Sequence, residues 1–339
     1  MGTTTDKDGF YSMRPISAGR YELVISMIGY KMERKDLIIY DNDQIALDFR
    51  LEPEPIQMEE ITVTYKKDKK WQKDYTLFKR AFLGTSMNGE ECTILNEYVL
   101  SFDRNSGLLM AKASQPLKIE NKRLGYEITY YLDEFELDDV YVRYAGDSFF
   151  KEMQPRSKRE LDRWVKYRRV AYNGSIRHFL NTLGERFDLR YKMDGDSLVE
   201  HVDWVNMSRK RGKDPLMIEG FDIYVVKPGK SGNLNAHFRL MNKQDEIVYP
   251  GDHPNELKLS FEKRLKVIYR RESEENNYNK DLIKLRAYPF QESYLLLNKD
   301  MVTFDKKGRY FETYMIEQRG YMGWERFGDK LPFNYERSG

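Results

Sequence analysis

His253-Pro254-Asn255-Glu256 carries the H-x-x-E spacing with which many zinc peptidases begin a metal site. A catalytic zinc usually takes three protein ligands and keeps a further position for water, and no histidine follows residue 253. Pro250, Gly251, Asp252 and Pro254 around it read as an exposed turn before a strand at Glu256. His201-Val202-Asp203 could set an imidazole and a carboxylate on one strand face, a pairing that orients a base. No serine or cysteine nearby has the context of an activated nucleophile, so a surface polar pair is expected. His178 lies beside the apolar stripe of a helix and reads as a hydrogen-bonded histidine between layers. Cys92 is the single cysteine, which excludes an internal disulfide and a Cys-based zinc site. Its neighbours Glu90, Glu91, Thr93 and Ile94 bring no cation to lower its pKa, so a packed thiol is expected.

Two further motifs stop short of a site. Asp6-Lys7-Asp8-Gly9 opens like a calcium loop but lacks the later oxygen ligands and the terminal glutamate, leaving a tight turn. Gly229-Lys230-Ser231-Gly232 after Pro228 resembles a phosphate loop, but Tyr224 stands where the first glycine belongs and no helix is expected after it, so it reads as a hairpin turn. Two charged stretches remain. Asp133, Glu134, Glu136, Asp138 and Asp139 form an acidic patch that could supply paired carboxylates for glycan or peptide hydrolysis. Between Lys151 and Arg169, eight basic residues stand against Glu152, Glu160 and Asp162. That excess, centred on the basic helix 156–169, reads first as a solvated face and could also face anionic lipid, nucleic acid, a protein partner or the acidic patch itself. Tyr126, Tyr130, Tyr131, Tyr141 and Tyr144 would serve a carbohydrate-binding face if they were arrayed on one surface.

The chain that must position these residues has 339 amino acids, enough for two or three domains. Hydrophobic residues are 40% and charged residues 33%, so the core must be economical, but 25 Tyr, 18 Phe and 4 Trp argue for packed structure over disorder. A net charge of +2 gives no global field to hold nucleic acid, and no nucleic-acid partner is expected. No apolar run is long enough for a transmembrane helix.

Periodicity places strands over Leu23–Ile28 and Leu47–Leu51 within a β region of residues 1–52. Glu52-Pro53-Glu54-Pro55 reads as an extended linker, followed by a strand at Glu59–Tyr65. A basic helix begins near Lys66, with Trp71, Tyr75, Phe78 and Phe82 on one face, and is bounded at 71–83. Strands are expected over Glu97–Phe102, Leu108–Ala113 and Tyr126–Leu132. Ser157-Lys158-Arg159-Glu160 is a capping box that opens a helix at 157–173, and a second helix follows at 175–184. Further strands are expected over Phe221–Lys227, Ala236–Met241, Glu256–Tyr269 and Ser293–Asn298, with a hairpin about Asp305–Gly308, a polar loop at 270–283, and an aromatic end from Gly320 to Tyr335 that packs back.

Gly2 to Tyr11, Ala18-Gly19-Arg20-Tyr21-Glu22-Leu23-Val24-Ile25-Ser26 and Ile28-Gly29-Tyr30 resemble the second half of a carboxypeptidase-regulatory-like β-sandwich, a transthyretin-like domain that precedes many Gram-negative outer-membrane receptors. The resemblance implies a place in the cell envelope and carries no catalytic activity. It also implies one or two strands before Gly2, so Met1 reads as an internal start and the sandwich as N-terminally truncated, with an exposed edge open to a partner. Phe78–Gly84, Ile94-Leu95-Asn96, Leu124-Gly125-Tyr126 and Tyr172–Leu180 resemble a recurrent C-terminal region of envelope proteins that has no assigned activity. No leader precedes the fold, so the chain as given reads as cytoplasmic, and as periplasmic or outer-membrane protein if the full gene carries a signal peptide.

The expected architecture is mainly β with a helical insertion: a partial β-sandwich at 1–52, a linker and strand at 53–70, and a larger β-rich domain at 71–339. The expected function is non-enzymatic binding or assembly in the envelope, with an envelope hydrolase or a carbohydrate-binding module as the alternatives. No catalytic, cofactor-binding or metal residue is assigned.

Overall fold

The computed structural model describes residues 2–13, 16–27, 29–54, 68–194, 197–200, 220–226, 238–241, 246–282 and 288–337. It is mainly β, with antiparallel sheets and few helices. Strands β1 (Gly19–Ile25) and β2 (Glu33–Ile39) form a two-stranded ladder in register from Gly19 opposite Ile39 to Ile25 opposite Glu33. β2 escapes a periodicity search because Glu33-Arg34-Lys35-Asp36 is charged on both faces. Leu47–Leu51, expected as a strand, joins no ladder among the described residues, although the Tyr11 hydroxyl donates to the Leu47 carbonyl at 2.7 Å. The expected linker is bonded over its described part: Lys31 N–H reaches the Glu52 carbonyl and Glu54 N–H the Gly29 carbonyl, each at 2.9 Å, about a Tyr30–Pro53 bridge. The expected strand at Glu59–Tyr65 and the motifs His201–Asp203 and Gly229–Gly232 lie outside the described residues.

Helix α1 (Lys69–Leu83) starts where Asp68 accepts the Trp71 N–H at 2.6 Å, and α2 (Met87–Glu90) where Ser86 Oγ accepts the Gly89 N–H. Strands β3 (Cys92–Ile94), β4 (Leu100–Asn105), β5 (Leu108–Ala113), β6 (Leu117–Asn121), β7 (Tyr126–Leu137) and β8 (Val142–Glu152) make a six-stranded antiparallel sheet with β7 at its centre. Glu97–Val99, expected to open β4, is instead one 3₁₀ turn before it. A register shift between Leu132 and Glu134 lets β7 run on through the acidic patch, where alternation fails. One face of α1 packs on this sheet: Phe78 and Phe82 are fully buried with Ile119, Tyr130, Phe135 and Phe327.

Helix α3 (Lys158–Tyr172) opens at the expected capping box, with Ser157 Oγ accepting the Glu160 N–H, while the Glu160 carboxylate reaches one residue further back to the Arg156 N–H. Helix α4 (Ile176–Arg190) outruns its expected end because Gly184 is accommodated inside it, against Lys306 and Leu257. A second core lies against α4, where Phe179, Leu180 and Leu183 meet two sheets. Past a β9 (Tyr191–Asp194) and β10 (Ser197–Glu200) pair, these are β11 (Phe221–Val226), β12 (Phe238–Leu240), β15 (Leu265–Tyr269), β16 (Gln291–Leu297) and β18 (Ile316–Gly320), and β13 (Val248–Pro250), β14 (Glu256–Leu259) and β17 (Val302–Asp305). The expected long strand at 256–269 is thus two strands in different sheets. The expected polar loop at 270–283 contains a helix, Asn276–Asp281, held by the buried Tyr278 and Asn279.

Candidate functional site

The N-terminal hairpin is clamped to the β7–β8 ribbon chiefly by Arg34. Arg34 Nη2 lies 2.6 Å from Asp133 and 2.7 Å from Asp147, and its Nε donates to Asp147 at 2.9 Å. Ser26 Oγ and the Tyr131 hydroxyl share a 2.9 Å hydrogen bond, and Asn255 Nδ2 donates to the Ala18 carbonyl at 2.8 Å. These contacts hold the hairpin's face while its edges stay open: among the described residues neither β1 nor β2 has a second ladder partner.

That clamp accounts for part of the acidic patch. Asp133 meets Arg34, Glu134 accepts from the Tyr314 hydroxyl, Glu136 from the Tyr141 hydroxyl, and Asp138 accepts the N–H groups of Val140 and Tyr141. Asp139 is exposed. The basic helix does not meet this patch; its ion pair among the described residues joins Arg168 to Glu152. The five tyrosines do not form one surface. Tyr126 and Tyr130 are buried in the first core, Tyr144 packs against that core, and Tyr131 and Tyr141 stand elsewhere, against Phe149 and Arg143.

His253 sits in the turn between β13 and β14, where its carbonyl accepts the Glu256 N–H at 3.1 Å and Asn255 takes a left-handed φ of 62°. Among the described residues no group of three His, Cys, Asp or Glu side chains is placed to hold a metal ion. Asp6 accepts the N–H groups of Asp8 and Phe10 at 2.9 Å, which makes Asp6–Gly9 a turn. Cys92 is buried, its thiol donating to the Asn88 carbonyl at 3.3 Å, and burial with the Asp329 charge pushes it up to about 12. Cys92 is therefore expected to resist a thiol-directed reagent at neutral pH in the folded chain and to react at once in denaturant. Rapid labelling of the native protein would contradict this placement.

A cleft of about 360 Å³ opens where α3 turns into α4, lined by Tyr172, Arg177, Asn181, Lys307, Tyr335 and Arg337 among others. Its far wall is the C-terminal segment, held by Arg177: Nη1 donates to the Pro332 carbonyl, and Nη2 to those of Phe333 and Tyr335, at 2.7–2.9 Å. At its base His178 accepts the Gly174 N–H at Nδ1, 3.1 Å away, so the neutral ring carries its proton on Nε2. Burial, with the nearby Arg337 and Arg271 charges, pushes this imidazole down to about 3. It is packed among Phe221, Tyr269 and Tyr172 and is a core histidine, as its stripe in α4 indicates. Sequence reasoning missed the cleft, whose walls are more than a hundred residues apart along the chain.

A group of carboxylates lies behind Asn173. Asp329 is buried and accepts from Ser86 Oγ, Asn88 Nδ2 and the Arg326 N–H, joining α2 to the C-terminal segment. Burial raises its pKa, and burial with the Asp329 charge holds Glu325 well above the usual carboxylate range. Glu272 accepts from Asn173 Nδ2 at 2.9 Å, and burial pushes it up to about 7 against that donor. Between the ordinary value of 4.5 and that value the folded chain binds more protons than the unfolded one, so this contribution is fully present below about pH 4.5 and is lost as pH rises through about 7. Glu272→Gln keeps the neutral shape. The Tm of the variant relative to the natural chain should therefore increase from about pH 5 to about pH 8, and a constant difference would contradict the assignment.

The family model of the CarboxypepD_reg-like domain matches residues 1–63. No curated protein and no solved structure matches the chain. The match covers the β1–β2 hairpin and the paired segment at 52–54, and reaches none of the residues from α1 onward.

Proposed function

We propose that this chain is a non-enzymatic binding or assembly protein of the cell envelope, outer-membrane-associated or periplasmic, in which the N-terminal hairpin receives a partner strand. The observation that carries the reading is the hairpin's geometry: its face is fixed by Arg34, Ser26 and Ala18 while its edges remain without a ladder partner among the described residues. An anchored strand with free N–H and C=O groups is the template for β-strand addition. The match of residues 1–63 to a domain type that is not itself a catalyst agrees with binding. So do the roles of Asp133 and His178, which are engaged in holding the fold. Fractionation of the cells that make the protein tests the address: the full chain should be recovered with the envelope, and recovery in the cytosol alone would overturn the proposal.

A further inference from the structure

The outward face of α3 carries Lys158, Arg159, Arg163, Lys166 and Arg169, all exposed. Among the described residues none of the five has a carboxylate within ion-pair distance. At about 100° per residue these positions, with Asp162, fall on one side of the helix, opposite the buried Trp164, Arg168, Ala171 and Tyr172. The opposite side is locked. Arg168 donates to the Leu124 and Gly125 carbonyls and lies 4.0 Å from the Tyr126 ring centroid, and Trp164 Nε1 donates to the Lys122 carbonyl. The helix therefore presents a rigid cationic face, with Val170 exposed among the charges and Val165 exposed along its flank.

We propose that this face docks on an anionic lipid surface. Five cations against Asp162 leave a net charge of four on this face, the complement of a layer of acidic headgroups. The apolar side chains decide between kinds of anion. Valine gains from entering the boundary between headgroups and acyl chains, but gains nothing on a phosphodiester backbone. The aromatic residues that would stack on bases are already engaged, because Trp164 is buried and Tyr167 lies under the Arg123 guanidinium, 3.8 Å from its centroid. The cations are also spread along eleven helical steps, roughly 16 Å, which suits a fluid, laterally mobile partner better than one fixed carboxylate. No described helix is long and apolar enough to cross a membrane, so attachment here would be peripheral.

This surface is separate from the hairpin edge, and the two proposals fail separately. In flotation at low salt, the full chain should rise with vesicles of phosphatidylcholine containing roughly one third phosphatidylglycerol and stay behind with phosphatidylcholine alone, and binding should weaken as salt is added. Arg159→Glu with Lys166→Glu should lower the partition coefficient by about tenfold or more, and Val165→Asp should lower it further than loss of one cation does. Both sets of side chains point outward, so an unchanged thermal transition in each variant shows that folding is intact. Equal binding to neutral vesicles, no binding to either kind, or binding insensitive to the charge reversal would overturn the proposal. Tight binding to polyglutamate without vesicle binding would overturn it in favour of an acidic protein. Recovery from the cytosol with intact vesicle binding would sink the envelope address and leave the lipid-docking chemistry standing.

Discussion

Gly125→Ala is expected to lower the stability of the chain by roughly 2–6 kcal/mol, the sum of about 1–3 for forcing a side chain into the left-handed region and about 1–3 for overpacking. Gly125 has a φ of 70°, and a Cβ there would lie 2.2 Å from Cδ2 of Trp164 and 2.6 Å from Cε2. The indole cannot simply step aside. Its Nε1 donates to the Lys122 carbonyl at 3.0 Å, and the Gly125 carbonyl itself receives the Met153 N–H and Arg168 Nη2. Moving Trp164 would lift α3 from the β6–β7 turn and leave Arg168 without its carbonyl acceptors. Gly107→Ala separates the two terms, because Gly107 has a φ of 93° but nothing within 4 Å of where the added methyl group would stand. It should cost only the backbone part, about 1–3 kcal/mol. Urea denaturation of both variants checks this, and equal losses would contradict the role given to Trp164.

Phe82→Ala should cost about 3–5 kcal/mol, the range for truncating a fully buried phenylalanine. Four other rings meet it: Phe78 at 5.3 Å, Tyr130 at 4.9 Å, Tyr144 at 5.1 Å and Phe327 at 4.9 Å between centroids. Phe327 arrives from the far end of the chain and stacks almost parallel, at 9°. The cavity would thus undo both the packing of α1 on its sheet and the anchoring of the C-terminal segment. Limited proteolysis should show new cleavage between residues 320 and 337 in Phe82→Ala, together with a lower denaturation midpoint. Leu77→Ala, on the same helix but exposed, should stay within about 0.5 kcal/mol of the natural chain. Matching midpoints for the two variants would show that the aromatic cluster does not carry the fold.

Where local chemistry dictates structure, the sequence could be read directly. The Ser157–Glu160 capping box opens α3, the Trp71, Tyr75, Phe78 and Phe82 spacing gives α1, and Leu108–Ala113 is a strand with the expected bounds. Where the decisive contacts are distant, reading failed. β2 is charged at its start and becomes a strand through its ladder with β1, whereas Leu47–Leu51 alternates well and has no ladder among the described residues. The helix Asn276–Asp281 is polar along its length and forms over Tyr278, whose ring meets Tyr321 and Trp324 from the C-terminal segment. The acidic patch was visible as a charge run, but its main countercharge, Arg34, lies ninety-nine residues upstream of Asp133. The cleft under Arg177 depends on carbonyls at 332, 333 and 335 that no motif announces.

Site-specific photocrosslinking in the cells that make the protein is the sharpest check on binding at the hairpin. A photoreactive side chain at Asp36, exposed on β2, would report on the hairpin, and one at Lys112, exposed on β5, would serve as the control. Strand addition at the hairpin predicts a discrete adduct between position 36 and an envelope component, absent from position 112. No adduct at position 36, or equal labelling from both positions, would contradict it.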